Sequence, residues 1–211
     1  MDCIAIIPAR FASARFPGKL LASLAGQPLI GHVVESVSRV EGIDATIVAT
    51  DDERIGEAAR ESGVDVVLSG GEFASGTDRV ADAASRYSAE IIVNVQGDEL
   101  LLDSAAVAGA LDCFRDSATE LGTLRAPLKE RRDLWDPNAV KVVIDDNEQA
   151  LYFSRAAVPF PRSEWQATVD MSTAESIVAW TPKVVDQRST CGAWLHLGVY
   201  FYRSDALRRW A

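Results

Sequence analysis

The chain has 211 residues, of which 48% are apolar and 25% charged, and its formal net charge is −10 at pH 7. This composition argues against a disordered chain, and the acidic balance disfavours a general nucleic-acid binder because its field repels phosphate backbones. The three cysteines, Cys3, Cys113 and Cys191, lie far apart, which favours a reducing cytoplasm over a disulfide framework. Since neither a signal-peptide pattern nor a membrane-length apolar run is present, we predict a cytoplasmic protein without a membrane partner.

Short runs rich in Ile and Val alternate with helical periods in the first half of the chain. Four of these runs predict buried strands, at 4–7, 45–49, 64–68 and 91–95. The intervening segments predict three helices, at 28–37, 51–63 and 76–87, with Asp51 as the N-cap of the second and Gly63 at its end. This alternation predicts right-handed βαβ units, and therefore a parallel sheet with helices on both faces.

The pattern changes after about residue 122. Segments 138–147 and 150–160 predict two strands joined by a turn, and 195–203 predicts another strand. The stretch 161–194 has no convincing period, and a loop of that length is usually functional or mobile.

Three cations follow the first predicted strand, within the segment 8-PARFASARFPGK-19. Arg10, Arg15 and Lys19 leave the carboxyl end of this strand, which is where ligands bind in open α/β sheets. The segment is not a P-loop, because Leu20 stands where Ser or Thr is required, and it lacks the G-x-G-x-x-G pattern of a dinucleotide loop. It favours a cradle for a polyanion, and the alternative is a solvated basic loop without a ligand.

A carboxylate follows the fourth predicted strand, at the same edge of the sheet. Asp98, in 96-QGDE-99, would repel a phosphate group unless a cation lay between them. We therefore predict Mg²⁺ held by Asp98 together with phosphate oxygens, with Glu99 either assisting or merely adjacent. The alternative is an ordinary acidic turn.

The segment 75-SGTDR-79 begins the third predicted helix. A helix start with small residues can receive a phosphate or the edge of a base. The alternative is a structural role, with Thr77 as the N-cap and Arg79 exposed.

Two further candidates lie in the second half of the chain. Arg155 ends a predicted strand and either clamps a carboxylate or phosphate or pairs with a surface acid. His196 lies between two leucines of a predicted strand, where a packed core histidine is the alternative to a chemical role.

Together these segments resemble the 3-deoxy-manno-octulosonate (KDO) cytidylyltransferase family. The resemblance implies an α/β fold of the nucleotide-diphospho-sugar transferase-like (Rossmann-like) class, with a mixed sheet, flanking helices and a β arm. It also implies a single domain over 1–211, with a CTP-binding core at 1–122 and an acceptor and dimerisation part at 123–211. The matching runs, which occur in order through nearly the whole chain, are 8-PARFASARFPGK-19, 75-SGTDR-79, 93-VNVQGDE-99, 137-PNAVKVV-143, 150-ALYFSRAAVP-159 and 196-HLGVYFYR-203.

The resemblance further implies the reaction, in which CTP and a sugar acid give a CMP-linked acid and pyrophosphate with Mg²⁺ as the cofactor. The implied partners are CTP, a small acidic acceptor and a second copy of the chain, with no nucleic acid. Arg15, Lys19 and Asp98 are the implied catalytic residues, with Asp98 as the metal ligand. The implied acceptor-binding residues are Gln96, Arg155 and His196. The implied CTP-binding residues are Pro8, Ala9, Arg10, Arg15, Lys19, Ser75, Gly76, Arg79 and Gln96.

Departures from the family pattern concentrate on the acceptor side. Leu100 replaces a proline, Phe201 replaces a small residue, and 161–194 looks longer than usual. The family's Ser-Pro-Leu-Glu and Gly-Val-Asp-Thr segments would follow Ala211, so this sequence is either a fragment or a divergent member. A divergent member suggests two alternatives: CMP transfer to a phosphonate such as phosphonoformate in natural-product biosynthesis, gripped with help from Arg162, or a catalytically inactive CTP-binding homologue.

Overall fold

The computed structural model describes residues 1–12, 16–71, 73–128, 130–159 and 194–211. In these ranges the helices are α1 (Leu29–Ser38), α2 (Glu53–Glu61), α3 (Gly76–Ala84), α4 (Ser104–Asp116), α5 (Arg131–Trp135) and α6 (Ser204–Trp210). The strands are β1 (Cys3–Ala9), β2 (Ser23–Leu24), β3 (Gln27–Pro28), β4 (Ala45–Thr50), β5 (Asp65–Leu68), β6 (Ile91–Val95), β7 (Leu121–Pro127), β8 (Lys141–Ile144), β9 (Ala150–Ser154) and β10 (Trp194–Arg203). None of the described helices is long and apolar enough to cross a membrane.

The chain forms two compact units. The first contains Met1–Leu124 and Gly198–Ala211, and the second contains Arg125–Leu197. The sequence placed the change of pattern near residue 122, close to the end of the first segment. The last fourteen residues lie beyond this change of pattern but belong to the first unit, where β10 pairs with β6 over Val199–Arg203.

A mixed sheet forms the centre of the first unit. Its strand order is β5-β4-β1-β6-β10, with the first four strands parallel and β10 antiparallel to β6. The four predicted strands are thus confirmed. The chain leaves β1 towards β4 on one side, and β6 lies on the other side of β1. The boundary between β1 and β6 is therefore the topological switch point, outside which ligands bind in such sheets.

Both faces of this sheet are covered, which is why β1 is a continuous apolar run. Cys3, Ala5 and Ile7 pack into a cluster with residues of α1, α2 and α4. Ile4 and Ile6 pack into a second cluster with residues of α3 and α6. Successive strand residues point to opposite faces, so an uninterrupted apolar strand requires a helical layer on each side.

The predicted cap of α2 was wrong, and so was the cap named in the structural alternative for α3. Asp52 caps α2, not Asp51, because Asp52 has an extended backbone and its Oδ1 accepts the Arg54 N–H at 3.0 Å. Ser75 caps α3, not Thr77. The Ser75 Oγ accepts the Asp78 N–H at 3.2 Å, and the Asp78 carboxylate accepts the Ser75 N–H at 2.8 Å, which completes a capping box.

The second unit is organised by an antiparallel hairpin of β8 and β9. Val142 lies opposite Phe153, and Asp145 closes the turn by accepting the backbone N–H groups of Asn147 and Gln149 at 2.8 Å each. The N-terminal end of β10 pairs with β8 in the same unit, with Trp194 opposite Val142. The predicted loop 161–194, with Arg162, lies outside the described residues apart from Trp194.

Candidate functional site

A cleft of about 260 Å³ opens at the carboxyl edge of the first unit's sheet. Its walls come from the end of β1, from the start of α3 with the residues before it, and from the residue that follows β6. These segments surround the switch point between β1 and β6. The lining residues are Pro8, Ala9, Arg10, Phe73, Ala74, Ser75, Gly76, Arg79 and Gln96.

The structure brings most of the predicted nucleotide-binding residues together in this cleft. Arg15 lies outside the described residues, and Lys19 lies apart from the lining. Phe73 and Ala74 were not predicted, because nothing in their local pattern marks them apart from their position just before 75-SGTDR-79.

Gly97 allows the ends of two neighbouring strands to approach each other closely. A Cβ on Gly97 would lie 3.0 Å from the Pro8 carbonyl oxygen and 3.3 Å from a methyl group of Leu20. Gly76 is less constrained, since a Cβ there would lie at ordinary contact distances, 3.7 Å from the Pro8 ring and 3.9 Å from Gln96 Oε1. Gly97 therefore lets the end of β6 lie directly against the end of β1, which sets the width of the site.

Arg79 is a buried cation in the wall of the cleft, which rules out the alternative of an exposed side chain. It is only 6% exposed. Its Nη2 donates to Asp51 Oδ2 at 2.8 Å, and its guanidinium lies 5.0 Å from the centroid of the Phe73 ring. Its Nη1 is buried and has no hydrogen-bond partner among the described residues.

A backbone hydrogen bond holds the two ends of the basic loop, the segment that runs from Arg10 to Lys19, close together. The Gly18 N–H donates to the Phe11 carbonyl at 3.0 Å, and Gly18 has a φ of 69°, which favours glycine. A Cβ at this position would lie 3.0 Å from the Phe11 ring, so Gly18 also makes room for that ring. Arg10 and Lys19 thus leave a loop whose two ends are held together.

The opposite edge of the site carries Asp98, and it forms an ion pair with Lys19. Lys19 Nζ lies 2.9 Å from Asp98 Oδ2, and the side chains are 39% and 57% exposed. Glu99, next along the chain, is half-buried. Burial raises the pKa of its carboxyl group, and the negative charge of Asp98 raises it further. Its ion pair with Lys19 and its greater exposure distinguish Asp98 from Glu99 as the more accessible carboxylate.

The side chain of Gln96 contacts a buried amide. Its Nε2 donates to Asn94 Oδ1 at 3.5 Å, at the limit of a hydrogen bond, and Asn94 is fully buried in β6. Gln96 lines the cleft, where it can present its amide to a bound molecule.

Arg155 and His196 belong to the second unit. Arg155 Nη1 donates to the Pro137 carbonyl at 2.7 Å, and no ion pair of Arg155 with a surface acid, one of its two alternatives, is found among the described residues. His196 packs edge-on against Phe153, with ring centroids 4.9 Å apart, and its backbone N–H donates to the Val140 carbonyl at 2.8 Å. Burial lowers the pKa of the His196 imidazole.

Asp51 is the main site residue that the sequence prediction missed. It follows β4 directly, at the same edge of the sheet as Arg10 and Asp98, and it contacts Arg79. The rule that selected Arg10 and Asp98, namely position after the carboxyl end of a strand, also applies to Asp51. It was missed because an Asp-Asp pair before a helix is equally typical of an N-cap.

A family model described as cytidylyltransferase matches residues 4–206. The 3-deoxy-manno-octulosonate cytidylyltransferase of Geobacter sulfurreducens is 43% identical over 212 residues, covering 100% of this chain and 80% of that protein. The protein of the same name from Solibacter usitatus is 40% identical over 205 residues, covering 97% of this chain and 72% of that protein.

The solved structures that resemble this chain include a protein of the same kind as these relatives. A CMP:2-keto-3-deoxy-manno-octonic acid synthetase complexed with CTP has a TM-score of 0.82 and 31% identity, covering 100% of this chain and 77% of that one. A 4-diphosphocytidyl-2C-methyl-D-erythritol synthase, 17% identical with a TM-score of 0.59 over 99% of this chain and 78% of its own, supports the fold alone. The predicted nucleotide-diphospho-sugar transferase-like α/β fold is confirmed.

Proposed function

Because this chain belongs to the cytidylyltransferase family and is therefore a CTP-dependent nucleotidyltransferase, we propose that it transfers CMP from CTP to KDO and releases pyrophosphate. The acceptor is taken from the relatives, which are named as 3-deoxy-manno-octulosonate cytidylyltransferases. The observation that carries the site assignment is the grouping of Arg10, Arg79 and Gln96 around one cleft at the switch point of the sheet.

In the proposed reaction an acceptor oxygen attacks the α-phosphorus of CTP in line with the leaving group. A new P–O bond forms, the bond from the α-phosphorus to the bridging oxygen breaks, and pyrophosphate leaves with the electron pair. The acceptor hydroxyl loses its proton. Such transfers depend mainly on positioning and on neutralising negative charge. Arg10 and Lys19 supply positive charge from the basic loop, and the cleft wall supplies the buried guanidinium of Arg79.

The residues of the site fit a magnesium ion that is held jointly with the nucleotide. The described residues contain no group of three His, Cys, Asp or Glu side chains that could hold a metal by themselves. Magnesium commonly binds one or two carboxylates and completes its shell with phosphate oxygens and water. Asp98 is exposed enough to serve as that carboxylate. When bound, the ion would neutralise charge on the triphosphate and on the departing pyrophosphate.

Gln96 of the first unit and Arg155 and His196 of the second remain the predicted acceptor-binding residues. Arg155 offers a guanidinium suited to a carboxylate, and Gln96 offers an amide suited to sugar hydroxyls. The comparisons favour a KDO-type acid over the two alternatives, transfer to a phosphonate and an inactive CTP-binding protein.

Pyrophosphate release from CTP tests the proposal directly. Purified protein is supplied with CTP, Mg²⁺ and one acid at a time, with KDO, a sialic acid and phosphonoformate in the panel. We expect release with KDO and little or none with the other two acids. Release with phosphonoformate but not with KDO would replace the proposed acceptor, and release with none of them would leave the activity unsupported.

Two further properties remain predictions, namely a homodimer and a cytoplasmic location. Light scattering on the purified chain measures the first, and fractionation of cells that express it measures the second.

A further inference from the structure

Asp51 joins two parts of the site that are far apart in the sequence. Its Oδ1 accepts the backbone N–H of Phe11 at 3.2 Å, at the start of the basic loop. Its Oδ2 accepts from Arg79 Nη2 at 2.8 Å, in the wall of the cleft. One carboxylate therefore fixes both the loop that carries Arg10 and the cation that lines the cleft.

The position of Asp51 is not explained by the helix that follows it. Asp52 caps α2 and also binds Arg54, so Asp51 is not required for capping. Its two oxygens instead point across the carboxyl edge of the sheet, from the end of β4 towards the end of β1 and the start of α3. The Asp51 carboxylate therefore connects the end of β4 to other elements and does not stabilise the helix that follows it.

The guanidinium of Arg79 depends on this contact for its orientation. Its side chain is only 8% exposed, and Asp51 is its sole ion-pair partner among the described residues. With Nη2 held by Asp51 and the guanidinium near the Phe73 ring, Nη1 remains as a buried donor without a protein partner in the described part of the chain, and Arg79 is one of the residues that line the cleft. A buried donor is costly to leave unpaired, so a bound molecule that accepts from it gains affinity.

We propose that Asp51 is a positioning residue for nucleotide binding, which holds the guanidinium of Arg79 in the wall of the cleft and holds the backbone at Phe11, next to Arg10. This inference rests on the proposed function, since it assumes that the cleft receives CTP. Asp51 itself does not touch the nucleotide in this account. It acts through Arg79 and through the backbone at Phe11.

The test compares Asp51→Asn with Asp44→Asn. Asp44 is a matched control, because its Oδ2 also accepts backbone N–H groups, those of Asp2 and Cys3, but at the amino end of β1. Both variants remove one negative charge and weaken backbone contacts next to an end of β1. We expect CTP affinity, measured by isothermal titration calorimetry, to fall about tenfold in Asp51→Asn and to stay at the wild-type value in Asp44→Asn.

A mutant cycle shows whether Asp51 acts through Arg79. In an Arg79→Met background, Asp51→Asn is expected to lower CTP affinity by only about threefold or less, because the contribution through Arg79 is already lost and only the contact with Phe11 remains. The KM for the acceptor should stay unchanged in Asp51→Asn, which a general loss of structure would not allow. Asp51→Glu keeps the charge and serves as a second variant, with an affinity between those of wild type and Asp51→Asn.

Three outcomes would overturn the inference. Wild-type CTP affinity in both Asp51 variants would show that the contact is not used. An undiminished effect of Asp51→Asn in the Arg79→Met background would show that Asp51 acts independently of Arg79. Wild-type protein that does not bind CTP at all would overturn the proposed function, and this inference with it.

Discussion

Lys19 Nζ lies 2.9 Å from Asp98 Oδ2, and this ion pair links the loop after β1 to the turn after β6. Because both side chains are more than a third exposed, the pair contributes little to stability, typically at most about 1 kcal/mol. We expect the ion pair to matter for function, because it holds a cation and a carboxylate side by side at the edge of the sheet where a triphosphate and Mg²⁺ would bind together. The positive charge of Lys19 also reduces the repulsion between the Asp98 carboxylate and a bound polyanion.

Asp98→Asn and Lys19→Met both break this ion pair, yet they should respond differently to magnesium. We expect Asp98→Asn to lose nearly all turnover, because a lost metal ligand removes charge stabilisation worth several kcal/mol. Residual turnover in this variant should require more Mg²⁺ than wild type. Lys19→Met should weaken CTP binding while keeping the wild-type Mg²⁺ requirement. Initial rates over a Mg²⁺ titration at saturating CTP measure the difference.

Asp112→Asn is the control for this pair of variants, since it removes the same charge from an exposed position on α4. It should behave as wild type in rate and in Mg²⁺ requirement. Near-normal turnover of Asp98→Asn at the wild-type Mg²⁺ concentration would contradict the metal role of Asp98.

Gly97→Ala should damage the site although it adds only one methyl group. The added Cβ would lie 3.0 Å from the Pro8 carbonyl oxygen, so the ends of β1 and β6 would have to separate. We expect a weaker affinity for CTP and a loss of about 1–3 kcal/mol in the free energy of unfolding. Calorimetric titration with CTP and urea unfolding measure the two effects.

Gly109→Ala is the matched control, because a Cβ on Gly109 meets nothing within 4 Å and the residue lies inside α4. Alanine in a helix interior is favoured over glycine by about 0.5–1 kcal/mol, so this variant should be slightly more stable than wild type with unchanged CTP affinity. Equal behaviour of the two variants would show that the close approach at Gly97 is not important.

The sequence predicted the positions of the site residues better than their contacts. Arg10, Lys19 and Asp98 could be placed at one edge because parallel strands present their carboxyl ends together, which local patterns reveal. The burial of Arg79 could not be predicted in this way, since it depends on Asp51, which is distant along the chain. The choice between Asp51 and Asp52 as the helix cap likewise depends on backbone angles that the residue types leave open.

Helix α4 was not predicted, although its signals are present. Asp103 caps it by accepting the N–H groups of Ala105 and Ala106, and Val107, Leu111 and Phe114 form its buried face at helical spacing. By contrast, β7 has mostly half-buried residues and mixed polarity. Its assignment as a strand depends on pairing with distant residues, so the local sequence gives no clear period.

Lys141 should be essential for the stability of the second unit. It is fully buried, and its ammonium group donates to the carbonyls of Asp136, Ala139 and Arg155 at 2.8, 2.6 and 2.9 Å. Lys141→Met would leave these carbonyls without their donor, and we expect a loss of about 3 kcal/mol in the free energy of unfolding. Denaturant unfolding measures this loss.

Arg132→Met provides the comparison for Lys141→Met, because Arg132 is 79% exposed. We expect a change within about 0.5 kcal/mol in this variant. A Lys141→Met protein as stable as Arg132→Met would show that the three carbonyl contacts are not important for folding.

His196 should make the stability of the protein depend on pH. Burial lowers the pKa of its imidazole below the ordinary value of 6.5. At pH values near and below 6.5 the unfolded chain therefore binds more protons at this residue than the folded chain does. The contribution of His196 to stability is therefore present above pH 6.5 and decreases as the pH falls below it. His196→Gln removes this titration.

Melting temperatures of wild type and His196→Gln, measured from neutral to acidic pH, test this prediction. The wild type should lose stability relative to the variant as the pH falls through the window below 6.5. Two curves that stay parallel across this window would contradict it.

³¹P NMR of the reaction mixture shows whether the chain joins CMP to KDO. With CTP, KDO and Mg²⁺ present, we expect the three CTP resonances to decrease together while pyrophosphate and one new phosphodiester resonance appear in equal amounts, and omission of KDO should prevent this. CTP resonances that remain unchanged with folded protein and KDO, or pyrophosphate formed without the phosphodiester, would show that the proposed reaction does not occur.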